Sequence, residues 1–212
     1  MALFRIALLS SPFKTYQPIP GGQERYTAGS YHMTVYIAFL RGVNVGGKHS
    51  LPMKELVAVL EYLGSENVKT YIQSGNAVFK SRDKDPALFS KRISTEIKKR
   101  RGFEPEVLLL KLGDLERAIA ENPFPEAEAD PKTLHLGFLA VSPQNSNLKI
   151  LEGLKSNTEQ FHLTKNIFYL HAPEGVGRSK LAANAEKFLG APMTDRNWST
   201  VRKVWEMAKG IT

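Results

Sequence analysis

Cysteine is absent from the 212-residue chain, so disulfides, thiolate metal ligands and a cysteine nucleophile are all excluded. That absence agrees with a reducing compartment, and a cytoplasmic location is the expectation. Long apolar runs are missing too. Nowhere does the sequence offer the ~20 consecutive apolar residues of a membrane-spanning helix, and no membrane partner is expected. Histidine is scarce, and His32, His49, His135, His162 and His171 fall at no metal-ligand spacing. No metal site and no cofactor are expected. No paired carboxylates and no Ser-His-Asp set can be assembled from sequence order alone, so catalytic residues stay unassigned and the balance leans away from an enzyme.

What is present is an ordinary globular composition, 42% hydrophobic and 24% charged, on a length that suits one large domain or two small ones. Lys and Arg number 29 against 21 Asp and Glu, a formal charge of +8. Such a balance favours an anionic small molecule or nucleic acid as partner where it is concentrated. The richest run, Lys80 to Arg101, ends in Lys98-Lys99-Arg100-Arg101; it reads as a solvated helix face whose basic last turn suits the helix dipole. Residues 1–32 differ from the rest. An apolar stretch from Met1 to Leu9 carries Arg5, and Pro12, Pro18, Pro20, Gly21 and Gly22 then break any regular element. The small-residue cleavage pattern of a signal peptide is poor. The expectation is a flexible extension or a start-site artefact, with Met33 as the natural beginning.

Beyond Met33 the pattern alternates strands and helices. Thr34 to Leu40 is β-branched and aromatic, a strand. Met53, Leu56, Val57, Leu60 and Leu63 have helical spacing, with Ser50 as N-cap, Pro52 in the first turn and Gly64 as terminator. Asn67 to Gln73 and Ala77 to Lys80 read as strands joined at Ser74-Gly75-Asn76. Pro86 to Arg101 is a helix and Glu106 to Lys111 a strand. This order, βαββαβ, is the split βαβ unit. A second pass follows: a short helix from Asp114 to Glu121, a strand from Leu134 to Val141, a helix from Gln144 to Leu154, a hairpin of Gln160 to Thr164 with Ile167 to His171, and a helix from Ser179 to Leu189. Asn197 to Lys209 adds a last helix, with Trp198 and Trp205 on its buried side. The fold class expected is α+β, with duplicated ferredoxin-like (split βαβ) halves, antiparallel sheets and helices packed on them. The first half covers 33–112, and the second covers 113–212 with the additional C-terminal helix.

The glycine-rich segment Arg41-Gly42-Val43-Asn44-Val45-Gly46-Gly47-Lys48 lies between a strand and a helix, where backbone N–H groups can converge on an anion. It nearly fits the phosphate-binding G-x-x-x-x-G-K-[ST] loop, but His49 stands where Ser or Thr would hold magnesium, and the hairpin downstream conflicts with the parallel crossovers of nucleotide hydrolases. A plain tight turn is the competing reading. RNA recognition by the sheet face fares worse, since Gly75-Asn76-Ala77-Val78 stands where stacking aromatics are needed. Candidate ligand-binding residues are Arg41, Gly42, Asn44, Gly46, Gly47, Lys48, Gln73, Asn76, Arg178, Lys180 and Arg196. Arg and Lys bind oxyanions, while Gln and Asn read an amide or base edge.

Three ordered segments carry a resemblance: Tyr36-Ile37-Ala38-Phe39-Leu40-Arg41-Gly42-Val43-Asn44-Val45-Gly46-Gly47, Tyr71-Ile72-Gln73-Ser74-Gly75-Asn76-Ala77-Val78-Phe79, and Arg196-Asn197-Trp198-Ser199-Thr200-Val201. Gly177-Arg178-Ser179-Lys180-Leu181 is a fourth. They resemble an uncharacterised bacterial family, domain of unknown function 1697, over residues 33 to 212. The resemblance implies a duplicated α+β fold and no activity. Three functional readings therefore stand: a cytosolic binding protein for an anionic, phosphate-bearing, nucleotide or nucleic-acid ligand at Gly42–Lys48; an enzyme of unassigned reaction at the same place; or a protein–protein adaptor that pairs through a sheet edge.

Overall fold

Alternation of apolar side chains decides the architecture. In β1 (Thr34–Arg41), Ile37 and Phe39 point to one side while Tyr36, Ala38 and Leu40 point to the other, and all five are buried. A strand buried on both faces must lie inside its sheet. The computed structural model describes residues 33–212, so the expectation for residues 1–32 lies outside the described residues. β1 is followed by α1 (Met53–Tyr62), β2 (Glu66–Tyr71), β3 (Asn76–Ser81), α2 (Pro86–Arg101) and β4 (Glu106–Lys111). The sheet order is β2-β3-β1-β4, with β1 antiparallel to both neighbours. After α3 (Leu112–Ala120) the series repeats as β5 (Leu134–Leu139), α4 (Leu148–Leu154), β6 (Gln160–Leu163), β7 (Ile167–His171), α5 (Lys180–Leu189) and β8 (Met193–Asn197), closed by α6 (Trp198–Lys209). Its sheet order, β6-β7-β5-β8, is that of the first half. The protein is a duplicated ferredoxin-like α+β fold. Both hairpins, β2–β3 and β6–β7, join adjacent antiparallel strands.

Each half buries the outer face of its sheet under its own two helices. Leu56, Val59 and Leu60 of α1 and Phe89, Ile93 and Ile97 of α2 cover the first sheet, with Tyr36, Phe79 and Phe89 in mutual ring contact. Leu151 of α4 and Leu181, Ala185 and Leu189 of α5 cover the second. The two inner faces share one core with α3 and α6. Ile37, Phe39 and Val78 meet Leu134, Leu136, Phe138 and Tyr169, together with Leu115 of α3 and Trp198, Val201 and Val204 of α6. Phe39 and Phe138 bring the two sheets into contact, ring centroids 5.3 Å apart, and the Tyr169 hydroxyl donates to the Ala118 carbonyl at 2.8 Å.

Helix ends follow local chemistry. Asp85 caps α2 by accepting the N–H groups of Ala87 and Leu88, and Gly102 closes it in the left-handed conformation. Ser179 and Asn197 cap α5 and α6 through the N–H groups of Ala182 and Thr200. Several boundaries differ from the sequence reading. α1 begins at Met53 with Pro52 at the N-cap, and Ser50 is not the cap, because the Asn44 side chain holds both backbone groups of Leu51 outside the helix. α4 is shorter than read, starting only after Asn147 accepts the Ile150 N–H. β8 was not visible as a strand at all. Trp198 is buried as expected, but Trp205 is only half-buried. It sits at the rim of the α3–α6 contact, where Nε1 donates to Glu116 at 3.3 Å and Arg202 and Lys209 each lie 4.7 Å from its ring. Of the basic run, Lys98, Arg100 and Arg101 pair with Glu104, Glu96 and Glu55. No helix among the described residues is long and apolar enough to cross a membrane.

One pair, a buried His135 and an exposed Asp195, ties β5 to β8. His135 donates through Nδ1 to Asp195 Oδ2 at 2.8 Å and through Nε2 to the Lys132 carbonyl at 3.1 Å, a pattern that the doubly protonated ring satisfies. Burial opposes that charge, but the hydrogen bond and charge of Asp195, with the Lys132 carbonyl, outweigh it and raise the pKa above 6.5. A raised folded-state pKa contributes stability that is complete below the unfolded value and fades as pH climbs through the folded one. The denaturation midpoint of the protein should therefore fall as pH rises from about 6 to about 8, the range around an unperturbed histidine. His135→Gln should flatten that slope; an unchanged slope would contradict the pairing.

Candidate functional site

The C-terminal end of β1, the β2–β3 turn and the C-terminal end of β8 meet at one place, and two side chains hold them there. Asn44 is the first. Its Oδ1 accepts the Leu51 N–H at 2.8 Å, while Nδ2 donates to the carbonyls of Leu51 at 2.9 Å and Gln73 at 2.7 Å. This amide closes the β1–α1 loop on itself and fastens it to the β2–β3 turn. Gly75 completes the junction: the Leu40 N–H donates to its carbonyl at 2.8 Å. A Cβ at Gly75 would stand 2.7 Å from both Leu40 Cβ and Val43 Cγ2, and its φ is +73°, so only glycine fits.

Arg196 is the second. In β8 it stands opposite Leu136, which directs it to the face between the sheets. Nε donates to Asn76 Oδ1 at 2.6 Å, Nη2 to the carbonyls of Leu40 at 2.7 Å and Ser74 at 3.1 Å, and Nη1 to the Asp195 carbonyl at 2.7 Å. The guanidinium also lies 5.0 Å from the Phe39 ring centroid. Burial pushes its pKa down to about 10, against the raising influence of Asp195, so it remains charged at neutral pH. Asn76 is fully buried and donates to the Tyr71 carbonyl and the Ser74 hydroxyl. Beside this junction Arg41 makes two contacts with Glu186 of α5, at 2.8 and 2.9 Å, and one with Glu106 at 3.2 Å.

The glycine-rich loop is a small hairpin and not a helix N-terminus. The N–H groups of Asn44 and Lys48 donate to the carbonyls of His49 and Val45, both at 3.1 Å. Gly46 and Gly47 at its tip have φ of +59° and +72°, as a type I′ turn requires. Their own N–H groups have no acceptor among the described residues. Lys48 is exposed, and His49 stacks on Phe103 with ring centroids 4.7 Å apart. The structure thus brings together Arg41, Gly42, Asn44, Gln73, Asn76 and Arg196, with Gly46, Gly47 and Lys48 on the projecting hairpin. Arg178 and Lys180 lie apart, lining a cleft of about 440 Å³ with Lys155, Ser156, Glu159 and Glu174.

Two surface residues escaped the sequence reading. Val45 is 68% exposed and Ile72 is 52% exposed. Ile72 adopts φ +47°, an outlier for a β-branched side chain, and its only signal in the sequence is the turn two residues later. Asn44 (φ +56°) and His49 (φ +52°) share the left-handed region, so three of the four such non-glycine residues among those described fall in these two adjoining loops. These backbone outliers make the two loops the candidate site. Among the described residues no group of three or more His, Asp or Glu is placed to hold a metal ion.

The family model described as "Protein of unknown function (DUF1697)" matches residues 33–169, which include the first two converging segments. The solved structure of the conserved bacterial protein SP0830 from Streptococcus pneumoniae is similar, with a TM-score of 0.61 and 27% identity, covering 84% of this chain and 99% of that one. No curated protein matches.

Strain and clamp act in opposite directions, and both can be measured. Ile72→Gly should raise stability by roughly 1 kcal/mol by relieving the left-handed penalty. Asn44→Ala should cost about 2 kcal/mol or more, since it strips partners from the Leu51 and Gln73 backbone. Denaturant midpoints decide: a destabilised Ile72→Gly would place the outlier's role in packing instead of exposure.

Proposed function

The chain belongs to the DUF1697 family, a family of unknown function, and from its surface chemistry we propose that it is a binding protein whose paired β1–α1 and β2–β3 loops take an anionic, phosphate-bearing ligand. The carrying observation is the set of donors gathered there. Lys48 and the two unengaged N–H groups of Gly46 and Gly47 stand on the solvent side of the loops, and the charged Arg196 lies on their buried side, bonded only to neutral acceptors. A cation whose hydrogen bonds all go to neutral acceptors projects a positive field towards the loops. Val45 and Ile72, both exposed, offer apolar contact to an uncharged part of the ligand, as the base of a nucleotide would need. The donors do not include a nucleophile held by a general base, which favours binding over catalysis.

Titration calorimetry with nucleotides and short single-stranded oligonucleotides tests this reading. Affinity should fall as salt rises, and Lys48→Ala and Gly46→Val should each weaken it several-fold. Equal binding by both variants would remove the loops from the site.

A further inference from the structure

We propose that a second site, a depression of about 420 Å³ between α3 and the β6–β7 turn, binds a small zwitterion with an apolar body, the class of aromatic and branched-chain amino acids. It shares no residue with the loop surface. Its volume lies within the ~300–1,000 Å³ usual for small-molecule sites. The floor is apolar and comes from both halves: Leu110 of β4, Ala118 of α3, Phe138 and Leu139 of β5, and Ile167 of β7. Ala118, Phe138 and Leu139 are core residues whose backbone is fixed by the sheets and by the Tyr169 hydroxyl on the Ala118 carbonyl. The floor is therefore formed before any ligand arrives.

Four charged residues stand around it, and they are not equivalent. Asp114 and Arg117 neutralise each other at 2.8 Å, and the second oxygen of Asp114 accepts the Lys111 N–H. Glu121 and Lys165 have no such partner among the described residues. Lys165 lies at the tip of the β6–β7 turn next to Asn166, whose Oδ1 accepts the Ser142 hydroxyl at 2.6 Å and leaves its amide Nδ2 as a spare donor. Lys165 and Asn166 therefore offer an ammonium and an amide donor, suited to a carboxylate, and Glu121 offers a carboxylate, suited to an ammonium. A ligand with a single charge leaves either Glu121 or Lys165 unpaired. A doubly charged ligand with no apolar body leaves the floor in water. An α-amino acid with a large apolar side chain meets all three demands.

Saturation-transfer NMR and calorimetry on the full chain can separate these contributions. The ligands are phenylalanine, leucine, glycine, N-acetylphenylalanine (which lacks the ammonium) and phenethylamine (which lacks the carboxylate). Phenylalanine and leucine should bind more tightly than the other three. Lys165→Ala should weaken phenylalanine by about tenfold, the scale of one charge-assisted contact, and leave phenethylamine unchanged. Glu121→Gln should close the gap between phenylalanine and its N-acetyl form. Both substitutions are at exposed positions, and unchanged thermal midpoints would exclude misfolding as the cause. Absence of phenylalanine and leucine binding at millimolar concentration overturns the proposal. So does phenylalanine binding that both variants retain, or phenethylamine binding as tightly as phenylalanine.

Discussion

A largely buried guanidinium ties the two halves of this protein together, and the shape of the exposed loops depends on it. Arg196 leaves β8 of the second sheet and spends its hydrogen bonds on Asn76 and on the carbonyls of Leu40 and Ser74 in the first. Its charge is costly to bury, and it is tolerated because its donors are nearly all satisfied. In return, three chain segments far apart in sequence are held in one geometry. The strained backbone of Ile72 and the hairpin tip at Gly46 and Gly47 project from that fixed base, so they present a defined surface to solvent.

Duplication explains why such a connector is needed. Each ferredoxin-like half covers its outer sheet face with its own pair of helices, but the inner face is equally apolar. Exposed, Ile37, Phe39, Leu136 and Phe138 would form a patch large enough to drive association. Pairing the inner faces, with α3 and α6 filling the space around the sheet contact, buries both. Apolar contact alone leaves relative orientation loosely specified. Directional bonds fix it: Arg196 across the sheets, Arg41 to Glu186, and the Tyr169 hydroxyl to the Ala118 carbonyl.

Elements with clear patterning were legible in the sequence: α2, read as Pro86–Arg101, α5, read as Ser179–Leu189, and β7. β8 was not, because Met193-Thr194-Asp195-Arg196-Asn197 is polar, short and at a sheet edge, without the apolar alternation that marks a strand. The start of α1 was misplaced because the side chain that sets it, Asn44, acts through space. The same limit applied at the junction. The chemistry of Arg41, Gln73, Asn76 and Arg196 singled them out, but their direction depends on strand register. A slip of one residue in β8 would turn Arg196 away from the first sheet. Arg178 and Lys180 carry the same chemistry and occupy a different cleft, so residue type without register does not locate a site.

The most direct test of the central claim is a double-mutant cycle between Arg196→Met and Asn76→Ala, read from denaturant unfolding. If the guanidinium is the link between the halves, the two substitutions should be strongly non-additive, with a coupling energy of about 1.5 kcal/mol or more, the scale of a hydrogen bond to a charged group. Additivity within roughly 0.5 kcal/mol, as for independent sites, would show that Arg196 and Asn76 are uncoupled and would contradict the guanidinium's role as the link.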